Sequence, residues 1–109
     1  MGVHNGSAGW LILWLEPLGE DRWLRPGETF QVRSDHQGEQ YPLTLYRGVD
    51  PDGPTAGLEY VEVWVDHGPW VTVTDSSGVV VECGHQRPAD VSRQWTRPTS
   101  NQLWRWLWG

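Results

Sequence analysis

"LEYVEVWVDHGPWVTVTDSSGVVVEC", residues 58–83, contains three runs of alternating apolar and polar residues separated by "DHGP" and "DSSG". A period of two belongs to strands half-buried in a sheet, and both breaks are rich in residues that turn a chain. The stretch predicts a meander of three antiparallel strands. Val61, Val63 and Val65 share one face, as do Val71 and Val73. Pairing these sets across the first turn buries both, whereas a slip of one residue exposes one of them. Val79, Val81 and Cys83 continue the inner face. The same register sets Tyr60, Glu62 and Trp64 on the opposite face, beside Trp70, Thr72 and Thr74.

Upstream, "GWLILWLEP" (9–17) predicts a strand apolar on both faces, hence one held between two layers, with Pro17 ending it. "DRWLRPGETFQV" (21–32) reads as a hairpin whose Pro26-Gly27 suits a type II turn, since Gly accepts the positive φ of the third turn residue. Phe30 and Val32 alternate inward while Thr29, Gln31 and Arg33 point out. "SDHQGEQ" (34–40) is a loop, and "YPLTLYR" (41–47) is a short strand that Pro42 marks as an edge. "GVDPDGPTAG" (48–57) reads as an exposed loop.

The expected fold is all-β: a small antiparallel sandwich, or a partly open barrel, of about six or seven short strands. Residues 1–9 form a disordered leader, 10–83 the β domain, 84–98 a polar linker and 99–109 a Trp-rich docking segment. "WLEP" (14–17) followed by "LRPGE" (24–28) and a closing meander resembles a group of short bacterial β-sandwich proteins that share a W-x-E-P then L-x-P-G pattern. The resemblance covers roughly residues 10–83. It implies the fold and a bacterial setting, and carries no activity, because the group has none assigned.

Thirteen Gly and eight Pro in 109 residues agree with frequent turns. One cysteine, Cys83, rules out an intrachain disulfide and suits a cytoplasmic setting; a mature secreted domain stays open. Charge divides unevenly: residues 1–85 hold four Arg against thirteen acids, and 86–109 hold four Arg against Asp90. The body would repel phosphate, so nucleic acid is not an expected partner. The longest apolar run, "WLILWL" (10–15), is far short of the ~20 residues that cross a bilayer as a helix, so no membrane span is expected.

Catalytic chemistry finds little footing. Cys83 and His85 stand two apart on an extended chain, but a zinc site needs about four protein ligands, or three and a water. Asp50 and Asp52 lack the longer ladder of oxygens a calcium loop requires. Ser76 and Ser77 sit in turn chemistry with no His at a recognisable spacing. No metal, no cofactor and no catalytic residue is assigned, and the enzyme reading is the weaker one.

Nine Trp are the unusual feature. Trp10, Trp14 and Trp23 belong to the core or its rim. Trp64 and Trp70, with Tyr60 and Glu62, form an aromatic platform of the kind on which sugar rings stack. The chain ends "NQLWRWLWG" (101–109). As a helix, opened by Thr99 and Gln102 as a capping box, Leu103, Trp104, Leu107 and Trp108 make one stripe. As a strand, Trp104, Trp106 and Trp108 share one face and Leu103, Arg105 and Leu107 the other. Each indole offers up to ~250 Å², so covering three is worth more than about ten kcal/mol before ordering costs. Something must shelter them. The expected function is a non-catalytic binding or assembly module whose tail docks on its own sheet or a second copy's. One alternative is a carbohydrate- or small-ligand-binding sandwich using Trp64 and Trp70; another is a carrier whose W-x-W-x-W end is modified.

Overall fold

The structure is a computed structural model that describes residues 1–34, 43–65 and 71–94. Trp70 and the whole of 99–109 lie outside the described residues, and so do the expectations that rest on them. Among the described residues the strands are β1 (Gly2–His4), β2 (Leu11–Glu16), β3 (Glu20–Leu24), β4 (Thr29–Ser34), β5 (Leu43–Val49), β6 (Glu59–Val65) and β7 (Val71–Thr74), followed by a helix, α1 (Ala89–Gln94). The strands make two sheets, one in the order β1-β4-β7 and one in the order β3-β2-β6-β5. The fold is all-β, as the sequence patterning predicts.

The sheets pack face to face. Val3, Phe30, Val32 and Val73 from the first meet Leu11, Leu13, Leu15, Leu24, Leu43, Val61 and Val63 from the second in one buried cluster. β2 is buried at every position, as expected for a strand apolar on both faces. Its Leu11, Leu13 and Leu15 enter this core, while Ile12 and Trp14 join Trp23 and Val91 of α1 in a second cluster on the outer face.

Four sequence expectations are corrected. β6 and β7 are not a hairpin: β6 lies between β2 and β5, whereas β7 pairs with β4 in the other sheet. The valines face the same core from opposite sides, so alternation is satisfied either way. Second, β2 pairs with β6 in parallel, so the second sheet is mixed rather than wholly antiparallel. Third, residues 79–83 form no strand beyond a bridge between Thr74 and Val80; Val81 is buried, but Val79 is 60% exposed and Cys83 is exposed.

Fourth, the segments at the two ends of the β domain are built into it. Residues 1–9 supply β1, with Val3 fully buried, and Asn5, whose side-chain amide donates to the carbonyls of Gly9 (2.8 Å) and Leu24 (2.9 Å). That buried amide satisfies backbone where the chain passes from one sheet to the other, a site where small polar residues are used rather than left loose. Residues 84–94 of the expected linker contain α1, discussed below.

The "RPGE" turn (25–28) forms as predicted, but it links β3 and β4 across the two sheets. Gly27 has φ +83°, the left-handed region that favours glycine. Glu28 closes the turn by accepting from the Arg25 amide at 2.6 Å. Phe30 and Val32 then point inward, as their alternation requires. β5, the strand expected at an edge, is the outermost strand of its sheet.

Candidate functional site

The outer face of the four-stranded sheet is a grid set by strand register. One row runs Trp23–Ile12–Tyr60–Gly48, the next Asp21–Trp14–Glu62–Tyr46, and a third Glu16–Trp64–Thr44. The β3 and β2 columns are closed: Trp23, Ile12, Trp14, Asp21 and Glu16 are all buried. The β6 and β5 columns are more open. Tyr60, Glu62 and Trp64 are half-buried, and Tyr46 is 57% exposed.

The closed half is held by a polar lock around Asp21. Arg87 grips its carboxylate with two donors, Nε to Oδ2 at 2.8 Å and NH2 to Oδ1. The Trp23 indole donates to the same Oδ2 at 2.8 Å, and the Cys83 thiol approaches Oδ1 at 3.7 Å. Bidentate geometry makes the guanidinium–carboxylate pair strong as well as specific. The contact with Asp21 holds Arg87 more firmly protonated than usual, against the opposing effect of its own burial. Burial, more than any neighbouring charge, pushes the Cys83 thiol up, so it is a poor nucleophile at neutral pH despite its exposure.

Backbone continues the lock. The Gly84 amide donates to Asp21 O at 2.6 Å, the Trp23 amide to His85 O at 3.0 Å, and Arg22 Nε to Val81 O at 2.6 Å. Gln86 adds bonds to Trp23 O (2.7 Å) and Glu28 Oε1 (2.8 Å). Residues 81–87 thus strap the free edge of β3. From there α1 crosses the outer face. It places Val91 on Ile12, Trp14 and Trp23, and it packs against the short 3-10 turn Gly53–Thr55 between β5 and β6. Six residues cannot hold a helix alone. α1 is fixed by Val91, by the anchor at Arg87, and by Asp90 and Arg93 placed to suit its dipole.

On the open half, Tyr60 lies over Gly48. A Cβ at Gly48 would sit 2.6 Å from Cζ of that ring, so β5 can carry nothing larger there. Trp64 donates its indole N–H to Glu62 Oε2 at 3.3 Å. Beyond them, Tyr46 and Val49, each 57% exposed, leave an apolar side chain on either side of the edge strand β5.

The structure therefore brings together Tyr60, Glu62 and Trp64 on one face, as predicted, but their neighbours are Trp14, Glu16, Thr44 and Tyr46 rather than Thr72 and Thr74. Trp70 and the terminal residues Leu103, Trp104, Arg105, Trp106, Leu107 and Trp108 lie outside the described residues. Sequence reasoning missed the Asp21–Arg87 lock. Alternation in β3 puts Asp21 beside Trp23, but nothing local marks Arg87 as its partner. Among the described residues no three His, Cys, Asp or Glu side chains converge as a metal site, and no helix is long and apolar enough to cross a membrane. Comparison with protein-family models, with curated proteins and with solved structures finds no match for this chain.

Proposed function

We propose that this chain is a non-catalytic binding and assembly module, and that its working surface is the open half of the outer face, between β6 and β5. Its first occupant is the chain's own tail, residues 99–109, carrying Trp104, Trp106 and Trp108. One observation supports this above others: α1 lies on the outer face and reaches the β5–β6 connection, so residues 95–109 continue from that face. Half-buried Tyr60 and Trp64 offer the aromatic contact, and Glu62 the charge that Arg97 or Arg105 would meet.

The double variant Trp104→Ala/Trp108→Ala in the full-length chain tests it. Each indole lost from a covered site should cost about 3 kcal/mol or more, so the melting temperature should fall by several degrees. A melting curve and a solution mass both identical to the parent's would refute docking.

A second reading is carbohydrate binding on the same half, supported by the exposure of Tyr46 in the row of Glu62 and next to Trp64. Sugar rings stack on such rings while hydroxyls bond to the carboxylate. Under this reading Trp64→Ala abolishes retention on a glycan column and leaves the melting temperature close to the parent's; under the first it lowers the melting temperature.

A further inference from the structure

Strand addition, rather than helix packing, is the mode of docking that the edge of the second sheet favours. We propose that residues 102–108 join β5 of the same molecule as an antiparallel fifth strand; the inference rests on the docking reading above.

Three observations carry it. β5 is seven residues long and is the outermost strand of its sheet, whereas the opposite edge, β3, is strapped by residues 81–87. A long edge strand with apolar residues exposed on both faces is a template for a further strand unless something covers it. β5 fits that description, with Tyr46 exposed towards the outer face and Val49 towards the core side. The tail has the matching two-sided pattern, since Trp104, Trp106 and Trp108 would stand on one face and Leu103, Arg105 and Leu107 on the other. A helix would leave Trp106 on the opposite side from Trp104 and Trp108.

The path suits the same molecule. α1 starts beside the Arg87 anchor at β3 and packs against Gly53–Thr55, next to the end of β5 at Val49. A chain continuing from there would enter β5 at Val49 and run back towards Leu43, antiparallel to it. Residues 95–101 can span about 23 Å when extended, and two strand spacings are only about 10 Å. Charge points the same way. Residues 95–109 carry Arg97 and Arg105 and no acid, and they would meet a body of thirteen acids and four Arg, whereas edge pairing of two copies would bring two acidic bodies together. A register with Trp104 opposite Tyr46 and Trp106 opposite Thr44 keeps Arg105 away from Arg47, because like charges directly opposed are unfavourable.

Amide hydrogen exchange of β5 in the full-length chain, followed by NMR over a dilution series, tests this. In an antiparallel edge strand every second amide faces outward. If the tail is added, all amides of Leu43–Val49 exchange slowly, the outward set by about 100-fold or more relative to an open edge, at every concentration. Cross-strand Hα–Hα contacts to residues 102–108 accompany the slowing. Outward amides that exchange like an open edge overturn strand addition; if Trp104→Ala/Trp108→Ala still lowers the melting temperature, docking itself survives in another form, and if it does not, both readings fall. Protection that vanishes on dilution overturns the assignment to the same molecule.

Discussion

Asp21 shows how one buried side chain organises the closed half of the outer face. Its side chain is 2% exposed, against 23% for Arg87, so the carboxylate has left water while its partner keeps a solvent path. A buried charge is tolerated when paired and hydrogen-bonded, and removing one partner of such a pair costs more than the pair contributes. Arg87→Ala leaves Asp21 with only the Trp23 indole and the Cys83 thiol, and it loosens the strap ahead of α1. The expected loss is about 2–4 kcal/mol, towards the low end for a buried pair because Arg87 is partly hydrated. Chemical denaturation measures it; a change within about 0.5 kcal/mol, the usual range for a surface substitution, would show that the lock is incidental.

β5 and β6 show what a strand pair contributes beyond its pattern. Gly48 is required because Tyr60 crosses it, and that crossing keeps the phenol flat on the sheet instead of standing over the open half. Gly48→Val should swing the ring away and cost about 1–3 kcal/mol as an overpacked contact. The shift of the Tyr60 ring resonances reads it directly, and unmoved resonances would disprove the crossing. The alternation of Val61, Val63 and Val73 made the buried face legible from sequence. Strand neighbours were not legible, because β6 and β7 bury those valines equally well in one sheet or in two. β1 escaped notice for a different reason: a three-residue strand in "MGVHNGSAG" is too short for a period to show, and only its pairing with Thr29–Gln31 gives it structure. α1 carries one apolar anchor, Val91, so its amphipathic signal is below what a sequence window can resolve.

The molecule as a whole combines a sandwich core with a second apolar layer that is only partly roofed. α1 and the 81–87 strap cover the β3–β2 half, and the remaining half presents Tyr60, Glu62, Trp64 and Tyr46 where the chain leaves α1. The site was half legible: Tyr60, Glu62 and Trp64 followed from periodicity, while Tyr46, Glu16 and Trp14 joined them only through long-range pairing. The account turns on whether the terminal indoles are sheltered by that face. Relaxation by a neutral paramagnetic chelate, read on the indole N–H groups of Trp104, Trp106 and Trp108 in the dilute full-length protein, tests it most directly. The internal standards are Trp14 and Trp23, which are 3% and 0% exposed. The account predicts that the terminal groups relax nearly as slowly as these two; relaxation as fast as that of a free indole, in a monomer, would contradict it.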